Sequence, residues 1–148
     1  MAQAHRAGKR VATTAVGHSY PHILGLPKEE SGYPIRWTSS YSDLAVATPT
    51  ELGKGDVYIH LGYSPVDAQK VGAILRRGIR FIYSSPYGRP AALKDHERLL
   101  WLDLPWRPGD AAVDVPGYSV RILPLSAAAH TLAYFSLLCQ MAGLMGWK

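Results

Sequence analysis

The chain has one cysteine, Cys139, in 148 residues. One thiol cannot form an intrachain disulfide, so a reducing compartment is expected and the fold rests on its core. No charged residue lies near Cys139 in sequence to lower its pKa, which predicts a buried, inert thiol. Low-complexity tracts and internal repeats are also lacking, and the length suits a single domain. The formal charge is +5, but the basic residues are scattered, apart from His5, Arg6, Lys9 and Arg10. Without a basic stripe interleaved with aromatics, nucleic acid is not an expected partner. The first residues contain no apolar stretch leading to a small-residue cleavage site, so no signal peptide is expected and the location reads as cytoplasmic.

Charge is missing altogether from Ile122 to Trp147. That length could span a bilayer. His130, Thr131, Ser136 and Gln140 interrupt it, however. A helix apolar on nearly every face is equally suited to a core or a dimer interface. The reading adopted is a soluble homodimer with the Leu125–Leu144 helix buried and no membrane partner.

The rest of the chain alternates strands and helices. Residues 1–10 read as a poorly ordered basic tail and 11–148 as one domain. Val11–Val16 and Ile35–Ser39 read as strands. Thr48-Pro49-Thr50-Glu51 has the form of a capping box. "DVYIHL" (Asp56–Leu61) reads as a strand, Val66–Arg77 as a helix stopped by Gly78, and "RFIYS" (Arg80–Ser84) as the next strand. This βαβ unit implies parallel pairing. Leu99–Leu104 and a short run within "YSVRILPL" offer further strands before the closing helix. The pattern predicts an α/β fold: an open parallel five-stranded sheet, three-layered, with helices on both faces.

Ligands of such sheets bind beyond the carboxyl ends of the strands, where strand order reverses. Three hydroxyl-bearing turns are expected there: Gly17-His18-Ser19, Gly62-Tyr63-Ser64 and Ser84-Ser85-Pro86. "AVGHSYP" also resembles the start of a hydrolase nucleophile elbow, with Ser19 as nucleophile. Pro21 stands where that motif needs its second glycine. His18 and His22 have a metal-ligand spacing, but Pro21 lies between them and no third ligand is evident, so no metal site is expected. No cofactor is expected either.

"GDVYIHLGYSPVDAQKVGAILRRGIRFIYSS" resembles the central unit of SIS (sugar isomerase) domains, in which a strand runs into a Ser-x-Ser-Gly loop, a helix and a strand. "VGHS" resembles the Gly-x-Gly-His-Ser loop of one bacterial branch, the phosphosugar-binding SIS proteins. "GDAAVDVPGYSVRILPLSAAAHTLAYFSLL" resembles that branch's ending. The resemblance implies a flavodoxin-like, usually dimeric fold that binds phosphorylated sugars. It assigns Ser64 to the phosphate loop, His18 and Ser19 to the first turn, and Ser126 to the start of the last helix.

Gly62 replaces the first serine of the phosphate loop, and Pro65 replaces its glycine. Ser64-Pro65-Val66-Asp67 instead reads as a helix cap, with Asp67 able to occupy the amides a phosphate would use. If the domain is an enzyme, it would be a phosphosugar isomerase, with His18 as first candidate base and His130 as second. The alternative is a non-catalytic structural or regulatory dimerisation module with a degenerate ligand site. Self-capping of the Gly62–Asp67 loop would favour that module.

Overall fold

A computed structural model describes residues 1–15, 35–39, 52–104, 106–107, 111–119 and 121–146. Strands β1 (Val11–Ala15), β2 (Ile35–Ser39), β3 (Val57–Leu61), β4 (Arg80–Ser84) and β5 (Leu99–Trp101) pair in parallel, in the order β2-β1-β3-β4-β5. The α/β class read from the alternating elements holds. β1 leads outward to β2 on one side, and β3 leads to β4 and β5 on the other. The order therefore reverses between β1 and β3, the point at which open α/β sheets form their clefts.

β3 lies at the centre, and all five of its residues are buried. A strand covered on both faces needs no polar alternation, which is why VYIHL is nearly all apolar. Val57, Ile59 and Leu61 join Val11 and Ile82 on one face, against Ala2 and Ala4 of α1 (Ala2–Arg6) and Tyr134, Leu138 and Met141 of α3 (Leu125–Met145). Tyr58 joins Ala12, Phe81 and Leu99 on the other face, against Val71, Ile74 and Leu75 of α2 (Ala68–Arg76). α2 ends where expected. Gly78 has φ +79°, and a Cβ there would stand 3.0 Å from Lys54 Cγ and 3.3 Å from Lys54 Cα, so any larger residue is both strained and crowded.

The amino ends of β1 and β3 are fastened by Asp56. Its carboxylate accepts from the amides of Gly53 at 2.9 Å and Arg10 at 3.0 Å, and from Arg10 Nε at 3.2 Å. Burial works to raise the Asp56 pKa. The two amides and the Arg10 guanidinium outweigh it and hold the carboxyl below its ordinary value.

Several expectations are corrected. Residues 1–10 are not simply a loose tail. Ala2–Arg6 is helical because Ala2 and Ala4 are small enough to bury against the sheet face, and Arg6 donates to the Leu144 carbonyl of α3. β5 stops at Trp101, three residues short of the expected Leu104, and its last ladder bond is the Leu102 amide donating to the Tyr83 carbonyl at 2.8 Å. The strand in "YSVRILPL" does not join the sheet. As β7 (Arg121–Pro124) it pairs antiparallel with β6 (Ala111–Asp114) in a separate hairpin. Pro116 and Gly117 (φ +82°) build its turn, closed by Tyr118 N donating to the Val115 carbonyl at 3.0 Å.

The closing helix is also less buried than expected. It is long and apolar enough to cross a membrane, yet only the face bearing Ser126, Ala127, His130, Ala133, Tyr134, Leu138 and Met141 is buried. Leu132 and Leu144 are 70% and 67% exposed. Cys139 is exposed as well, because it points away from the covered face. The expected strand end at Val16, the turn at Gly17, His18 and Ser19, the His18/His22 pair and the capping box at residues 48–51 lie outside the described residues.

Candidate functional site

The carboxyl ends of β3 and β4 meet at Gly62. Its amide donates to the Ser84 carbonyl at 2.9 Å. A Cβ at Gly62 would lie 3.0 Å from that carbonyl oxygen and 3.1 Å from the His60 ring. Glycine is therefore required by close approach. This is a structural reason for glycine at the position where the resemblance led to the expectation of a serine.

The loop after Gly62 satisfies itself. The Ser85 hydroxyl donates to the Ser64 carbonyl at 3.0 Å and accepts from Tyr87 N at 3.3 Å. Ser64 is not the cap of α2. The helix begins later, and Asp67 is its N-cap, with Oδ1 accepting from Gln69 N at 2.9 Å and Lys70 N at 3.1 Å. A carboxylate oxygen can serve two amides, and it complements the positive end of the helix. The Lys70 ammonium adds an ion pair at 3.5 Å. The amides of Gln69 and Lys70 hold the Asp67 pKa below its ordinary value.

Of the residues expected at the site, the structure brings together Gly62, Tyr63, Ser64, Ser84 and Ser85. Aromatic contacts link these to α3: the Tyr63 ring stands 5.0 Å from Trp106, and Trp106 meets His130 edge to face at 5.4 Å. Ser126 is fully buried one turn before His130, on the same covered face of α3. Gly17, His18 and Ser19 cannot be placed among these, being outside the described residues.

Two residues were missed by the sequence. His60, 2% exposed, stacks on Tyr83 at 5.1 Å. Burial, aided by the neighbouring His130 imidazole, pushes its pKa down to about 3. Trp106, 5% exposed, stands between Tyr63 and His130. A histidine within an otherwise apolar strand was the available signal for His60. Trp106 had none, because it sits in a proline-containing loop with no periodicity.

The polar atoms here are unusual. His60 Nδ1, Ser84 Oγ and Trp106 Nε1 are buried and have no hydrogen-bond partner among the described residues. Each such atom costs roughly 1–3 kcal/mol. Most buried polar groups in folded proteins are paired, so a group of unpaired ones calls for an occupant or a functional reason. They lie on two faces of the sheet: His60 follows Tyr58 and stacks on Tyr83 on the α2 side, and Ser84 follows Ile82 on the α3 side, where Trp106 meets His130. Among the described residues, no group of three His, Cys, Asp or Glu side chains is placed to hold a metal ion. Compared with known protein families and with curated proteins, the chain matches none.

Proposed function

We propose that the chain is an SIS-like, three-layered α/β domain that binds a sugar or similar small polar ligand at the carboxyl ends of its parallel strands, without isomerising it. The observation that carries this reading is that Ser84, at the carboxyl end of β4, and Trp106, which packs on Tyr63 after β3, bury polar atoms with no partner among the described residues. Ligand sites combine aromatic side chains with a few polar groups, and Tyr63 and Trp106, in contact with each other at 5.0 Å, are the aromatics at this end of the sheet. Isomerisation needs a base near neutral pKa. His60, with a pKa near 3, is a poor base at neutral pH.

The test is a thermal-shift and NMR screen of sugars, polyols and their phosphate esters, followed by proton exchange at C2 of any binder in deuterated water. Binding without enzyme-dependent exchange is expected. Rapid exchange would overturn the non-catalytic half. Binding that survives unchanged in both Ser84→Ala and Trp106→Phe would move the site elsewhere.

A second reading, a dimerisation module, is favoured by the self-capping of the loop at Asp67 and by an exposed apolar surface. Leu125, Leu132 and Phe135 form an exposed apolar face on α3, next in the chain to the exposed Ile122 and Leu123 of β7. Apolar patches of this kind mark interaction surfaces. The opposite face of α3 is already packed on the sheet, so inserting the helix into a bilayer would dismantle the core. We therefore take the partner to be a second copy and the dimer to be soluble. Sedimentation should show a dimer at micromolar concentration, converted to monomer by Leu132→Glu. A monomeric wild type would remove this reading and leave the ligand site untouched.

A further inference from the structure

We propose a second binding site, at the amino end of the sheet, that takes a small apolar molecule carrying one anionic head. It lies at the opposite end of the strands from the site described above, and neither depends on the other.

Parallel register brings its residues together. Val57 opens β3 and pairs with Arg80, which opens β4, while Phe81 pairs with Leu99, which opens β5. Arg98 therefore stands beside Arg80, and its carbonyl accepts from the Phe81 amide at 2.7 Å. Neighbouring strands lie about 4.8 Å apart, so the two arginines begin one strand spacing from each other. Val57 and Ile82 belong to the face covered by α1 and α3, and Leu99 to the opposite face. Alternation then places Arg80, two residues before Ile82, on the α1/α3 face, together with Arg98 and Leu100 on either side of Leu99.

A cavity of about 270 Å³ joins these five residues, with Met1, the N-cap of α1, on its wall. Ordinary ligand pockets begin at roughly 300 Å³, so the occupant is small. The lining has an apolar part, in which Val57 and Ile82 are buried but Leu100 is 52% exposed. Leu100 thus leaves apolar surface for an occupant to cover.

The other part of the lining is cationic. Arg80 forms no ion pair with any described residue. Arg98 pairs with Glu97 at 3.1 Å, but the Glu97 side chain is 77% exposed, and a pair so open to water holds little energy. Two guanidiniums side by side repel each other. One anionic head between them relieves that repulsion and accepts from both, since the guanidinium fork matches the oxygens of a carboxylate or a phosphate. A bare anion would leave Leu100 uncovered, and an uncharged apolar molecule would leave the repulsion in place.

The experiment titrates the full-length chain with octanoate and octyl phosphate, with 1-octanol as the uncharged body, and with acetate and inorganic phosphate as bare heads. The readout is the Ile82 and Leu100 methyl resonances, assigned through Ile82→Val and Leu100→Val. At least one of the two amphiphiles should shift both residues, and the one that binds names the head as carboxylate or phosphate. Octanol and the bare heads should bind roughly tenfold more weakly or less. Arg80→Gln should cost the amphiphile about tenfold, whereas Arg76→Gln, which removes a cation of α2 outside the cavity, should leave binding unchanged. Octanol binding as tightly as the amphiphiles, or an equal loss in Arg76→Gln, would overturn the role given to Arg80. Bare heads binding as tightly would overturn the role of the apolar lining. Shifts at Leu132 without shifts at Leu100 would put the amphiphile on the open face of α3 and overturn this site, as would no shift with any compound. None of these outcomes bears on Ser84 and Trp106 at the other end.

Discussion

The two ends of the parallel sheet treat buried polarity in opposite ways. At the amino end, Asp56 is a nearly buried carboxylate that accepts from two amides and a guanidinium. At the carboxyl end, His60, Ser84 and Trp106 bury polar atoms that find no partner among the described residues. Both ends belong to the same strands, and β3 contributes to each. The amino end therefore adds to stability, and the carboxyl end subtracts from it. Local instability of this sort persists when something beyond folding selects it.

The largest expected effect is at the amino end. Asp56→Ala should destabilise the chain by about 3 kcal/mol in urea unfolding, since it leaves two amides and the Arg10 guanidinium without their acceptor. The folded carboxyl titrates below its unfolded value of 3.8. Its contribution is thus fully present above that value and lost as pH falls through the lower folded one. A loss under 1 kcal/mol would mean that the two ends do not differ as described.

His60 gives the next effect, and a separate pH window. Its folded pKa of about 3 lies below the ordinary 6.5, so the unfolded chain takes up this proton first. Stability should hold above 6.5 and fall between 6.5 and about 3 as pH drops, by up to ~1.4 kcal/mol per pH unit from this group. His60→Phe keeps a ring against Tyr83 and should flatten that slope. An identical slope in the variant would show that His60 is not held neutral.

Gly62→Ala sharpens the comparison by testing how tightly the carboxyl end is built. The new Cβ would meet the Ser84 carbonyl oxygen at 3.0 Å, and that oxygen is backbone, so the cost should be about 1–2 kcal/mol. A melt equal to wild type would show that the two strand ends can part.

The smallest effect has the opposite sign. Ser84→Ala removes a buried hydroxyl that no described residue satisfies, so in the absence of ligand it should stabilise by about 1 kcal/mol or less. It should also weaken ligand binding. Clear destabilisation by Ser84→Ala would mean the hydroxyl is bonded in the free protein, and the contrast between the two ends would fail.

Much of the fold was legible because its signals are local. β2 (Ile35–Ser39) and β4 (Arg80–Ser84) match the expected bounds, and Gly78 stops α2 as read. The position of Gly62, Ser84 and Ser85 at the strand ends follows from the parallel topology, which the βαβ spacing announced. The start of α2 was misplaced because both Ser64 and Asp67 are good caps. Only the amides of Gln69 and Lys70, which donate to Asp67 Oδ1, show which one the fold uses. His60 and Trp106 were missed for a related reason. A sequence shows that a residue is polar, but not that its nitrogen is buried without a partner.

By itself the sequence determined the α/β class, the succession of strands and helices, and the uncharged character of the closing helix. Those depend on apolar runs, glycine and proline positions, and the absence of charge over a stretch, all of which are properties of neighbours in the chain. Tertiary structure alone decided that β7 pairs with β6 rather than with the sheet, that one face of α3 stays open, that Asp67 rather than Ser64 caps α2, and that His60, Ser84 and Trp106 bury polar atoms with no partner among the described residues. Each of these depends on which distant surfaces bury one another, and packing settles that through area and shape that no local pattern encodes.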